Sequence, residues 1–273
     1  MTQGSATVEK ALGLLDFFND RNPSLGLSEL ARMGGHNKAT ALRFLTALES
    51  KGFVERDASS RTYHIGPAFL RFAKIRATSF PWTEAVSETL RWLVDETGET
   101  SHASVLAGAA LVNIGQVESR RSNRVIIDPG EALPFHATAS GLTFLAFAEP
   151  GFVERVLSRE LRAHTPDTDL SPARIREKLA TIRSSGWGRA EGTYEEDVIG
   201  FAAPYFDADR AVCGAVAVAM PSARVTKASE TIVVSAVKSA ARKLTAARGG
   251  PTPDPEIENT SQPDPKKEDP SDA

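Results

Sequence analysis

From Leu27 to Gly66 the chain reads LSELARMGGHNKATALRFLTALESKGFVERDASSRTYHIG, and no other stretch limits the fold so strongly. Ser28 is in N-cap position for a short helix from Glu29 to Met33, and GGHN then forces a tight turn. Asn37 can cap a second helix running to about Lys51, because its side-chain oxygen is placed to accept a first-turn N–H. On that helix Ala41, Phe44, Leu45 and Leu48 recur at helical spacing and form a buried stripe. Lys38, Ala39, Thr40, Leu42, Arg43 and Thr46 are left outside it. Gly52 follows in the C′ position that favours glycine. Phe53 to Arg56 and Thr62 to Ile65 then read as two short strands around the turn DASS. Upstream, Val8, Ala11, Leu12, Leu15 and Phe18 predict one further amphipathic helix. Three helices followed by a hairpin make a winged helix-turn-helix.

The side chains outside that stripe fit a nucleic-acid surface. In such a module the third helix enters the major groove and the hairpin reaches the backbone or minor groove. Lys38 and Arg43 suit phosphates or guanine edges, Thr40 and Thr46 suit phosphate, and Ala39 and Leu42 suit thymine methyls. Arg61, beside the hairpin turn, suits the negative minor-groove potential. Charge agrees: residues 1–79 carry eleven Lys and Arg against seven Asp and Glu, although the whole chain is at −3. Helix-turn-helix shapes also serve as protein docking units, so a winged-helix interaction module joined to a sensor domain is the alternative reading.

With 273 residues the chain has room for two domains. Pro67 opens a helix over 67–80 that reads as a linker, and its Phe69, Phe72 and Ile75 offer an apolar face for dimer packing. Beyond Pro81, WTEAVSETLRWLVDETG is an amphipathic helix. TSHASVLAG, ALVNIGQVES and SNRVIIDPG read as consecutive strands. FVERVLSREL and SPARIREKLATIRSSG supply helices, VIGFAAPYFDADRAVCGAVAVAMP supplies two strands turning at DADR, and the helix KASETIVVSAVKSAARKLTAA follows. The expected class is α+β with a largely antiparallel sheet. The segment 249–273 has six prolines, seven acidic residues and no aromatic. It is expected to be disordered, since ordering it would bury almost nothing apolar.

Composition excludes several classes. No apolar run reaches 18 residues and no secretory leader precedes the first helix, so the expected location is the cytoplasm, away from membranes. The single cysteine, Cys213, forms no intrachain disulfide and reads as core packing. The five histidines lack metal-ligand spacing, and the run Glu195, Glu196, Asp197 reads as a solvated loop, so neither a metal nor a cofactor is expected. His136 and Ser140 in PFHATASGLTFLAF raise the question of a catalytic pair. A serine nucleophile needs a base, an orienting third group and, commonly, a strained G-x-S-x-G turn, none of which is evident here. His136 is read as a local cap or packing group, and the chain as a non-enzyme.

The segment from ATVEKALGLLDFF through GPAFLRFA resembles the N-terminal domain of IclR-type transcriptional regulators. LPFHATASGLTFLA, IRSSGWGRAEGTYEEDVIGFAAPYFD and AVAVAMPSARVT follow in that family's order, so the likeness runs over about residues 5–248. It departs at Asn37-Lys38-Ala39-Thr40, where the family often has Pro-Lys-Ser-Thr. The resemblance implies a dimeric or tetrameric regulator: a winged helix-turn-helix over 5–66, a linker helix over 67–80 and a GAF-like effector-binding domain over 81–248. It also implies double-stranded operator DNA, a small-molecule effector and a second copy of the chain as partners.

Matched in register, the family's effector positions fall on Ala139, Ser140, Ala190, Val198, Gly200, Ala217 and Ala219. An anion is expected there, because a helix start offers unpaired N–H groups and about half a positive charge. These positions are small or apolar, which predicts an aromatic or branched acid rather than a very small oxo-acid. Trp187 and Tyr194 are candidates to stack on such a ligand or to roof the core.

Overall fold

The computed structural model describes residues 5–19, 22–79, 81–128, 130 and 132–251. Two compact units divide the chain, Met1–Pro81 and Trp82–Ala273. Residues 252–273, most of the segment read as a tail, lie outside the described residues.

In the first unit the elements are α1 (Ala6–Leu12), a 3-10 turn (Leu15–Phe17), β1 (Ser24–Gly26), α2 (Leu27–Met33), α3 (Lys38–Ser50), β2 (Val54–Arg56), β3 (Thr62–Ile65) and α4 (Ala68–Ser79). Asn37 caps α3 as its sequence implies, its Oδ1 accepting from the Thr40 N–H at 2.8 Å. Gly52, at φ +74°, takes the left-handed turn that leads out of α3. β3 pairs antiparallel with both β2 and β1, so the hairpin is a three-stranded sheet of order β1-β3-β2. The core gathers Leu14, Leu25, Leu30, Leu45, Leu48, Val54 and Tyr63. Fully burying a leucine contributes about 1.5–3 kcal/mol before conformational entropy is charged against it.

Three local expectations change here. The first helix does not run on to Phe18. It stops at Leu12, leaving Val8 and Leu12 exposed, and the Gly13 N–H closes it on the Glu9 carbonyl. The tighter turn that follows carries Leu14, rather than the Val8–Leu12–Leu15 stripe, into the core. Gly26, not Ser28, precedes α2, and Glu29 folds back to accept from the Gly26 N–H at 2.8 Å. β1, at a proline-marked break in the pattern, is an added edge strand with Leu25 opposite Tyr63.

The second unit follows with α5 (Pro81–Thr97), β4 (Thr100–Ala107), β5 (Ala110–Val117), β6 (Ala132–Leu133), α6 (Ala139–Phe147), α7 (Pro150–Leu157), α8 (Pro172–Ser185), β7 (Gly188–Glu191), β8 (Val198–Phe206), β9 (Val212–Pro221) and α9 (Lys227–Ala247). Six antiparallel strands form one sheet of order β6-β5-β4-β9-β8-β7. The architecture is α+β, a helix-turn-helix unit followed by helices on an antiparallel sheet.

Because side chains alternate across a strand, this sheet has two unlike faces. One presents Val216, Val218, Met220, Phe201 and Tyr205, packed against Leu90 and Leu93 of α5 and Val233, Val237 and Leu244 of α9. The other presents Ala202, Ala215 and Ala217, on which Ala139 of α6 rests. Behind α6, Phe144 and Leu145 pack with Ile175, Leu179 and Ile182 of α8.

One predicted strand is absent. Within its described residues SNRVIIDPG forms no strand, and three of its carbonyls accept from side chains instead of a ladder. Arg224 donates to the Asn123 carbonyl at 2.7 Å, Thr100 to that of Val125 at 2.8 Å and Asn113 to that of Asp128 at 3.0 Å. Its apolar run is real, but Val125 and Ile127 are buried without strand pairing, and Ile126 is exposed.

Candidate functional site

In the first unit most of the residues expected at DNA are exposed, five of them on α3. Lys38, Ala39, Leu42, Arg43 and Thr46 of α3 are all exposed, and Thr40 is partly buried. Leu42 keeps 42% of its surface, so its methyls are open to a partner. Arg61 is exposed at the turn of the hairpin, in left-handed conformation with φ 59°. That turn is shaped by Asp57. Its Oδ1 accepts from the Ser59 and Ser60 amides at 2.8 and 2.7 Å and from both hydroxyls, which holds the carboxyl far below its usual range. The hairpin tip therefore has a fixed form, with Arg61 projecting from it.

In the second unit all seven residues matched as effector positions line a single cavity. Ala139, Ser140, Ala190, Val198, Gly200, Ala217 and Ala219 surround about 570 Å³ of non-atom space, its open mouth included. Two local devices make the room. Along the sheet, alanine and glycine replace the bulkier residues of the opposite face. At α6, Thr138 caps the helix, its Oγ1 accepting from the Gly141 N–H at 3.0 Å and donating to the Pro134 carbonyl at 2.9 Å. A side chain at Gly141 would run into the Pro134 and Phe135 backbone, so glycine is required for the chain to turn this closely into α6. The amides of Ala139 and Ser140 belong to the first turn, whose N–H groups have no intrahelical acceptor.

Sequence reading missed part of the lining. The segment once read as a strand supplies Val125, Ile126 and Ile127 as an apolar wall. A buried carboxylate fixes it: Glu99 accepts from Arg121 at 2.8 Å and from Arg224 at 2.8 Å. Tyr194 lines the cavity, whereas Trp187 packs against the core on the α5–α9 side. Glu195 lines it too, exposed along with Glu196 and Asp197.

The serine of PFHATASGLTFLAF does have a histidine partner, and it is not His136. The His136 Nε2 donates to the Arg162 carbonyl at 2.9 Å, and its ring lies 5.9 Å from that of His164. Ser140 Oγ instead meets His102 Nε2 at 3.1 Å. His102 is on β4, opposite Ala217 of β9, which turns its side chain to the face that carries α6. Burial pushes its pKa down to about 4, so the ring is neutral at physiological pH. Its Nδ1 is buried with no hydrogen-bond partner among the described residues. Nothing in the sequence near position 102 signals this pair, because the sheet brings together residues 38 apart.

An exposed helix with a hairpin, joined to a sheet domain with a lined cavity, defines a DNA-binding regulator with a ligand-sensing domain. Models of the IclR helix-turn-helix domain and of the bacterial transcriptional regulator IclR C-terminal domain match residues 7–58 and 76–246. The chain belongs to the IclR family of bacterial transcriptional regulators. It is 30% identical over 243 residues to the transcriptional regulator BhcR of Paracoccus denitrificans, covering 88% of this chain and 86% of that one. It is likewise 30% identical over 257 residues to the transcriptional repressor IclR of Escherichia coli, covering 89% and 90%. Among solved structures, an IclR-type regulator from a Silicibacter species is 42% identical with TM-score 0.84, over 91% of this chain and 98% of that one. An IclR homologue of Microbacterium hydrocarbonoxydans, solved in complex with 4-hydroxybenzoate, shares the fold at 21% identity and TM-score 0.66, over 89% and 98%. These relatives are regulators rather than enzymes. Among the described residues no helix is long and apolar enough to cross a membrane, and no cluster of three or more His, Cys, Asp or Glu is placed to hold a metal.

Proposed function

We propose that this regulator binds a specific operator through α3 and Arg61, and that an organic acid with an aromatic or branched apolar body controls that binding. The observation that carries the reading is the convergence of seven small or apolar residues, from four separate elements, on one cavity at the start of α6. The Ala139 and Ser140 amides suit a carboxylate, and Val125, Ile127 and Val198 suit the body attached to it. The relative that carries 4-hydroxybenzoate has a ligand of this class. The Ser140–His102 pair supports binding rather than hydrolysis. An imidazole held near pKa 4 is a poor base at neutral pH, and nothing among the described residues orients its second nitrogen.

Operator recognition by a two-fold site calls for a dimer. Phe69, Leu70, Phe72 and Ile75 of α4 are exposed and offer an apolar face for it. Fluorescence anisotropy with DNA from upstream of the chain's own gene, over a salt series and with a panel of acids, tests the whole reading. Salt-sensitive binding that weakens or strengthens with an aromatic or branched acid is expected, and Arg43→Ala should weaken it and reduce the salt slope by about one. Binding unaffected by every acid, or a response to glyoxylate or pyruvate alone, would overturn the effector assignment. No salt-sensitive binding would leave α3 as a protein-docking surface.

A further inference from the structure

The cavity lining is short of charge in a way that singles out one side chain. Among the described residues around it there is no lysine and no arginine, and His102 is the only side chain with nitrogen donors. The one charged group on the lining is Glu195, which is exposed and repels an anion. An acid entering this space therefore has the first-turn amides of α6 and very little else to neutralise it. His102 sits beside those amides, tied to Ser140, with its second ring nitrogen buried and unpartnered. A buried polar atom left unsatisfied is costly, and a fold tolerates it where a ligand completes the bond.

We propose that His102 is the specificity-determining residue of this cavity, its Nδ1–H donating to the acid group of the effector while Ser140 fixes the ring from the other side. This rests on the effector reading given above and deepens it. The assignment follows from hydrogen-bond capacity. A neutral imidazole has one donor and one acceptor, and a serine hydroxyl supplies either. With Ser140 Oγ–H donating to Nε2, the ring proton sits on Nδ1 and is left free for an oxygen acceptor. The opposite tautomer would present a lone pair and repel a carboxylate. Ser140 thus does two things at the start of α6: its amide is offered to the ligand and its hydroxyl sets the tautomer that reads it. An acid is preferred over its methyl ester because the anion accepts a stronger, charge-assisted hydrogen bond.

Two substitutions separate the two ring nitrogens. An asparagine amide nitrogen reaches about where Nδ1 lies, and a glutamine amide reaches about where Nε2 lies. Full-length protein is titrated with benzoate, phenylacetate and isovalerate and with their methyl esters, by calorimetry and thermal shift. Wild-type protein is expected to bind at least one acid tenfold or more tightly than its ester. His102→Asn should keep that preference within about threefold, whereas His102→Gln and His102→Phe should lose it, with ester binding little changed. If neither variant folds, the imidazole 15N resonances of the wild-type protein decide, since Nδ1 must shift on addition of the acid and Nε2 much less. Equal acid binding by all variants, equal losses for Asn and Gln, or an unmoved Nδ1 would overturn the role of His102 and leave the cavity reading intact. No binding of any acid to wild-type protein would overturn both.

Discussion

The two faces of the six-stranded sheet are made of the same strands and differ in one respect, the size of what they present. On the α5–α9 side, Phe201, Tyr205, Val216, Val218 and Met220 pack against the helices. On the α6 side the intervening residues of the same strands are Gly200, Ala202, Ala215, Ala217 and Ala219. α6 comes down close at one end, where a side chain on Gly200 would stand 3.0 Å from the Ala139 Cβ, and the remaining space is the cavity. Strand pairing holds both faces equally. Stability is therefore concentrated on the first face and the capacity to hold a ligand on the second.

The largest test of that division is Phe201→Ala. It removes a fully buried ring from the filled face, and a loss of about 3–5 kcal/mol in denaturant unfolding is expected. A loss below about 1 kcal/mol would show that this face is not the one that stabilises the unit. Next comes pH. His102 titrates near 4 when folded and at its ordinary 6.5 when unfolded. Between those values the unfolded chain binds more protons, so stability is full above pH 6.5 and falls as pH drops towards 4. The contribution is about 3 kcal/mol, and His102→Gln should lack it. Unfolding curves of both proteins from pH 7.5 to 4 give the difference directly, and parallel curves would remove His102 from the buried, neutral role.

Smaller effects should come from the open face. Gly200→Ala pushes a methyl against Ala139, for which about 1–2 kcal/mol and a shifted α6 are expected. Hydrogen exchange at Ala139–Thr143 reads that shift. Ala219→Val fills cavity on a strand that tolerates branching, so stability should change by less than about 1 kcal/mol while binding of aromatic acids drops. If Ala219→Val destabilised as much as Phe201→Ala, the contrast between the faces would collapse.

Legibility in the sequence followed how local each feature is. The helix-turn-helix could be read because Asn37, Gly52 and the Ala41–Leu45–Leu48 stripe act within a few residues of one another. β8 and β9 were also plain, as long apolar runs around DADR. β1 and β7 were missed: each is three or four residues on a sheet edge, too short to show alternation. The wall at Val125–Ile127 was misread because apolar content identifies burial, not the partner of the backbone. The seven cavity positions came from family resemblance, which no spacing in the chain would have supplied. His102 was invisible for the same reason that it matters, since its partner and its cavity exist only once β4, β9 and α6 are together.

The loop at Val125–Ile127 has a consequence for how the cavity is walled. A strand in its place would be released only by unzipping a ladder, a cooperative event that disturbs its neighbours. This wall hangs instead from separate side chains, Arg224, Thr100 and Asn113, each holding one carbonyl. With the Gly130 N–H on the Asn113 carbonyl, these single bonds and the burial of Val125 and Ile127 against Ala219 seat the wall point by point, so each contact can be altered by one substitution without breaking a strand pair.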